Sequence, residues 1–381
     1  MESSQASPES RIPNPEPRLT RVSPERLTDF CVRAMTTVGM TEADARITAG
    51  ILVRTDMRGI FTHGTVSLRR YVQQMRDGGV NPRAVPQVTS EGPAWALVDG
   101  HRALGMVAGH AGMMAAITKA KTTGVGMVGV RHSNHFGAAS AYALMALDHQ
   151  MIGLAMSNTD VVMNIPGGRG AMIGNNPLSY AIPAGAQPAM VLDIAMSTVA
   201  GGKVATMKHL GKPVPLGWLT DGDGQPTTDP GVFPSPGALT PMGGHKGYGL
   251  ALLVETLAGV LAGAAMTTDI ISWAKETHQP CDEGHSFIAV NVGAMMPFDR
   301  FQARMDELIA RMRTAPKAKG AERIYVPGEM EYESEQTARQ HGVPLTEMAV
   351  NSLKGLAEDL DLHTYLPFDH SAIHNPQSAT Q

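Results

Sequence analysis

Imidazole is the side chain that changes protonation near neutral pH, and this chain places it in two settings suited to proton transfer. The run Val128 to Gly137 reads Val-Gly-Val-Arg-His-Ser-Asn-His-Phe-Gly and gathers His132, Ser133, Asn134 and His135. His63 stands between Thr62 and Gly64, where a hydroxyl can orient the ring and a glycine admits a ligand to the backbone. Asp193 interrupts the apolar run Met190 to Ile194, and a carboxylate placed there needs a histidine or a ligand hydroxyl as partner. The run Pro241 to Gly249 reads Pro-Met-Gly-Gly-His-Lys-Gly-Tyr-Gly ahead of a long apolar stretch. Glycines before a helix expose N–H groups to an anion, and Lys246 adds a charge. Each group also has a plain structural reading. The first run suits a helix cap, His63 a satisfied surface histidine, and Asn175-Asn176 an Asx turn rather than a donor pair.

The elements around these residues follow from periodicity. Gly124 to Val130 alternates small and apolar residues and predicts a buried strand; Ala138 to Gln150 has the composition of a helix. His132 to His135 therefore fall in a strand-to-helix loop, where rigid flanks fix exposed side chains. Ser23-Pro24 and Thr41-Glu42 open two helices as N-caps. Trp95 to Val98 is predicted as a strand, followed by a helix to about Thr122. Further strands are predicted over Met151 to Met156, Met190 to Ile194 and Phe287 to Val292. Helices are predicted from about Tyr248 to Ala264, over Phe301 to Met312, and over Leu345 to Leu360. Met1 to Pro17, rich in Ser, Pro and Glu, reads as a mobile tail.

Composition removes several function classes. A charged share of 17% and a net charge of −4 give no basic footprint for nucleic acid. Two cysteines, Cys31 and Cys281, leave no disulfide framework; with no recognisable signal peptide, they point to the cytoplasm. Glu255 and several glycines make the long apolar stretch a core helix rather than a membrane span. No metal site is expected. Gly124-Val-Gly126-Met-Val-Gly129 matches G-x-G-x-x-G literally, yet it follows a helix and lies inside a strand-like run. The dinucleotide fingerprint needs the opposite order, so this is no phosphate loop.

Taken in order, the motifs resemble the malate/L-lactate dehydrogenase type-2 family. They are Arg58-Gly59 with Thr62-His63-Gly64, Ser133-Asn134-His135-Phe136-Gly137, Gly174-Asn175-Asn176-Pro177, Asp193-Ile194-Ala195, Lys246-Gly247-Tyr248-Gly249 and Pro327-Gly328-Glu329. The resemblance runs from about Leu27 to Glu358. It implies an α/β fold that is not Rossmann, with a mostly antiparallel sheet holding a nicotinamide cofactor and a helical domain built from both chain ends. In this chain those parts are expected near 21–90, 91–244 and 245–381, after a tail of residues 1–20.

The resemblance also implies site residues. His63 matches a proton donor, oriented by Thr62 where the family usually has Ser; His135 matches the acid/base of one member; Asp193 matches a relay position. Thr159, Asp193, Ile194, Ala195, His245, Lys246, Gly328 and Glu329 are expected to bind NAD or NADP, and Arg70, Asn134 and Asn176 the substrate. One departure stands out. The family's carboxylate-binding Arg falls at Ser67 here, which leaves Arg69 or Arg70 as replacements, with Arg70 nearer the face of His63. The implied activity is NAD(P)-dependent interconversion of a small 2-oxo acid and its 2-hydroxy acid, by a homodimer. Reduction of a cyclic imino acid, or cofactor binding without turnover, are the alternatives.

Overall fold

The structure is a computed structural model that describes residues 19–368. The tail expected at Met1 to Pro17 lies outside the described residues. The central element is a seven-stranded sheet, whose strands we number in chain order. They are β1 (Gln87–Glu91), β2 (Trp95–Asp99), β3 (Val125–Ser133), β4 (Met151–Ser157), β5 (Leu178–Ile182), β6 (Met190–Ile194) and β7 (Glu283–Asn291). In space they run β1-β2-β3-β7-β4-β5-β6. Only β2 and β3 are parallel; every other neighbouring pair is antiparallel. A parallel pair needs a crossover, and the helix Gly105–Thr123 supplies it.

That helix packs on the sheet through small residues. A Cβ on Gly112 would press on Phe287 and Val130, and one on Gly126 would strike the carbonyl of Ala116. Val128, Val130, Phe287 and Ala289 are fully buried beneath it. Of the glycines in the false phosphate-loop pattern, Gly126 and Gly129 are therefore packing residues, and Gly124 ends the crossover helix at φ 83°.

A helical layer adjoins the sheet. Pro24–Thr37 and Glu42–Met57 begin at the expected caps, where Ser23 Oγ accepts from Arg26 N and Thr41 Oγ1 from Asp44 N. Leu68–Asp77, Glu329–His341 and Glu347–Leu360 pack in the same layer. Early and late segments meet directly: Thr20–Val22 pairs antiparallel with Val343–Leu345, and Ser352 Oγ donates to the carbonyl of Val66 at 2.8 Å. A second, mixed sheet of five short strands lies between β4 and the helix His245–Val254 in sequence. No helix of the described residues is long and apolar enough to cross a membrane.

Several predicted boundaries shift. β3 continues to Ser133, so His132 and Ser133 belong to the strand and the loop begins at Asn134. Ala138 to Gln150 forms one α-helical turn, Ser140–Ala143, then a 3-10 segment, Leu144–His149. β7 begins at Glu283, four residues before the predicted Phe287, because Glu283, His285 and Ser286 are buried polar residues. The apolar helix begins at His245 and turns π-helical over Glu255–Val260. There Glu255 faces inward, accepting from Asn158, Asn176 and the Thr267 backbone.

Candidate active site

His63 lies in the loop between the helix Glu42–Met57 and the 3-10 turn Thr65–Ser67. Asp56 pins that loop: its Oδ2 accepts from Thr65 N at 2.9 Å and from Thr65 Oγ1 at 2.6 Å. Gly64 is required at the turn, since a Cβ there would collide with the Asp56 carboxylate. Thr62 Oγ1 lies 2.8 Å from His63 Nδ1, the contact expected to orient the ring. Asp193, near the end of β6, accepts from the Ser140 backbone N–H at 2.8 Å. Burial lowers the pKa of His63 and raises that of Asp193, while the opposite charge of each counters the shift of the other. The two therefore act on each other electrostatically although they stand 130 positions apart in the sequence. Arg58 further restrains Asp193, and its guanidinium is itself held by Glu335 at 3.0 Å.

His135 enters the same site from the opposite side. Its ring centroid is 5.8 Å from that of His63, with the planes 27° apart. His135 Nδ1 shares a 2.8 Å hydrogen bond with the Tyr71 hydroxyl, and Trp273 stacks on the ring at 4.1 Å. Burial, then the charges of His63 and His285, hold His135 well below the ordinary histidine value, so it is neutral at pH 7.

The loop that carries His135 is fixed from behind. Asn134 spends its whole amide on backbone: Nδ2 donates to the carbonyls of Arg102 and Ala103, and Oδ1 accepts from Cys281 N. Gly105, opening the crossover helix, lies so near the loop that a Cβ would collide with the carbonyls of Asn134 and His135. Ser133 Oγ meets His285 Nε2 at 2.8 Å, and His285 Nδ1 meets Ser157 Oγ at 2.8 Å. Phe136 stacks on the His285 ring at 4.6 Å. Burial pushes His285 down to about 3, which makes it a neutral structural bridge between β3, β7 and β4.

A chain of backbone contacts joins the residues expected at the cofactor. Val191 N donates to the carbonyl of Pro327, and Gly328, at φ 84°, leaves no room for a Cβ beside Val191. Beyond Ile194 and Ala195, Met196 N donates to Asn175 and Met196 O accepts from Met242. Met242 leads through Gly243 and Gly244, both at positive φ, into the first turn of the helix His245–Val254. His245 and Lys246 are exposed there. Thr159 joins the same chain through Oγ1 to Asn175 Oδ1 at 3.0 Å. An exposed cation on a helix N-terminus, joined through Met242 and Met196 to the strand that carries Asp193, suits a phosphate-bearing dinucleotide. Glu329 is placed differently from the others: it is buried and held by Arg313 and Arg323.

The substrate-side expectations separate. Arg69 is committed to Asp359 through two bonds, 2.7 and 3.1 Å, and ties the closing helix to Leu68–Asp77. Arg70 is exposed and makes no ion pair among the described residues. Ser67 is buried, and its hydroxyl lowers the Tyr71 phenol against the upward push of burial. Asn176 is fully used, accepting from Thr159 N and donating to Ala251 O and Glu255. Asn134 and Asn176 thus hold loops and offer no free amide.

Tyr71, Trp273, Glu283 and His285 escaped the sequence reading. Their signal was present in Cys281-Asp-Glu-Gly-His-Ser286, a polar run leading into a strand, but only the apolar part of β7 registers as periodicity.

A family model described as Malate/L-lactate dehydrogenase matches residues 22–354. The chain is 36% identical over 349 residues to a malate dehydrogenase of Pyrococcus horikoshii, covering 89% of this chain and 95% of that protein. A Δ1-pyrroline-2-carboxylate/Δ1-piperideine-2-carboxylate reductase of Pseudomonas putida is 31% identical, over 84% of this chain and 91% of its own. The crystal structure of malate dehydrogenase from Entamoeba histolytica superposes with a TM-score of 0.86 at 32% identity, over 92% of this chain and 100% of that one.

Proposed function

The chain belongs to the malate/L-lactate dehydrogenase family, and on that premise we propose that it is a nicotinamide-dependent oxidoreductase of small 2-oxo and 2-hydroxy acids. The observation that carries this reading is the opposite-charge pairing of His63 with Asp193, both half-buried, beside the buried, neutral His135. Such a site can move one proton to or from a small oxygen.

NAD or NADP, when bound, supplies or accepts the hydride. Lys246 and His245, with the glycines before them, would hold its phosphates, and Thr159, Asp193, Ile194, Ala195 and Gly328 would contribute the rest of its site. Glu329 acts from behind, fixing the turn that holds Gly328. This assigns the antiparallel sheet to the cofactor and the terminal helices to a second, non-Rossmann domain.

His63 is the proton donor. Asp193 favours its imidazolium form, and Thr62 fixes the ring through Nδ1, leaving Nε2 to face the substrate oxygen. In the reverse direction the neutral ring removes the hydroxyl proton. His135 polarises rather than protonates: with the Tyr71 O–H donating to Nδ1, the neutral ring carries its proton on Nε2. Arg70, exposed and without an ion pair among the described residues, takes the substrate carboxylate in place of the arginine that Ser67 lacks. The exposed row Leu250, Leu253, Val260 and Leu261 supports a homodimer, which the mass in solution tests directly.

The test is a panel of 2-oxo acids and cyclic imines assayed with NADH and with NADPH, following loss of the reduced cofactor. Turnover of at least one 2-oxo acid or imine is expected. Tight cofactor binding without any turnover would replace this reading with that of a non-catalytic binding protein.

A further inference from the structure

Glu283 is the first residue of β7, opposite Ser133 in the register, and its side chain is wholly buried. Neither carboxyl oxygen has a hydrogen-bond partner. Close by, Gln74 is also wholly buried; its Nε2 reaches Cys281 Sγ at 3.7 Å, while its Oε1 is unpartnered. Both belong to the surroundings of His135. Tyr71, which hydrogen-bonds His135, has its phenol pushed up by burial and then by Glu283, and the Cys281 thiol responds in the same way.

Buried polar atoms are normally satisfied; the proton that Glu283 itself carries can serve one of these three oxygens, and the others call for a donor from outside the chain. Burial raises Glu283 well above the usual carboxyl range, and the nearby Asp160 raises it further. A second carboxylate or a sulfonate entering here would meet two acids. Among the described residues no trio of His, Cys, Asp and Glu is arranged to hold a metal ion. The missing donor is therefore an O–H or N–H group, and a nitrogen cation would in addition stabilise the carboxylate form of Glu283 that burial disfavours.

We propose that Glu283, together with the side-chain oxygen of Gln74, forms a specificity pocket beside His135 that receives a protonated nitrogen of the substrate. Glu283 gives up its proton as the cation enters, so charge is conserved at the pocket and one proton is released to solvent. Together with the absence of arginine at Ser67, this turns the proposed dehydrogenase site from diacids toward amino- or iminium-bearing monoacids.

This inference rests on the proposed function for its site, but its test does not need turnover. Isothermal titration of the full chain, with and without NAD+, uses L-proline as the cationic-nitrogen probe and L-lactate as the nitrogen-free probe. A hydrogen bond to a charged group corresponds to roughly 10- to 100-fold in affinity. Glu283→Gln is expected to weaken proline by that factor and lactate by less than about 2-fold. Gln74→Leu, the second variant should the first not fold, is expected to weaken proline selectively and by less. No binding of proline to the wild type, or equal loss for proline and lactate in a folded variant, overturns the pocket. Turnover of pyruvate and of a cyclic imine in the same preparations reports on the proposed function separately: turnover of either with unselective binding refutes the pocket alone, and selective binding with turnover of neither refutes the dehydrogenase reading alone.

Discussion

His285 makes a prediction whose size follows from its burial. The ring is enclosed between Ser133, Ser157 and Phe136, and burial pushes its pKa down to about 3. In the unfolded chain the same ring titrates near ~6.5. A base whose pKa is lower in the folded state contributes its full stability above the unfolded value. That contribution is lost as pH falls from about 6.5 toward 3, because the unfolded chain binds the extra proton. Each pH unit in that window costs ~1.4 kcal/mol, so between pH 7 and pH 5 His285 alone removes about 2 kcal/mol. His285→Gln has no titrating ring at this position. Other groups, including the raised carboxyls Asp56, Asp193 and Glu283, change stability in the opposite sense, but they are common to both proteins and cancel in the comparison. Urea unfolding of both proteins at the two pH values gives the difference directly. The wild type should lose about 2 kcal/mol more than the variant between pH 7 and pH 5. Parallel losses would mean that His285 is solvated or already protonated in the folded protein, and the neutral bridge would be wrong.

Other expectations concern the site itself. Lys246→Ala should weaken NADH or NADPH binding and flatten its dependence on salt, as measured by cofactor fluorescence titration at several ionic strengths. Arg70→Ala should raise KM for 2-oxo acids with little change in kcat; an equal effect on neutral carbonyl compounds would make Arg70 structural. Asp193→Asn removes the charge that holds His63 up, so the acid limb of the pH profile for hydroxy-acid oxidation should move to lower pH, and kcat should fall. An unmoved limb would separate the two residues.

What the sequence made legible was local. The caps at Ser23 and Thr41, the strand over Met190 to Ile194 and the loop holding His135 follow from short-range pattern, and each appears close to its predicted place. The nearness of His63 to Asp193 is different, because it depends on antiparallel pairing across the sheet and is invisible to spacing. Its expectation came from family resemblance alone. Asn134 and Asn176 looked like ligand donors because amides in loops have that chemistry; only the fold reveals that backbone and Glu255 already occupy them. Glu283 and His285 were missed for the converse reason. Periodicity rewards apolar residues, whereas these buried polar groups are accommodated by contacts from β3 and β4 that no local window contains.

The central claim is that His63 transfers the proton. It is tested most directly by single-turnover reduction of a 2-oxo acid in His63→Ala, with cofactor affinity measured on the same sample. The account predicts a loss on the order of 10²–10⁴-fold in the chemical step with little change in cofactor affinity. A near-normal rate in that variant would contradict it.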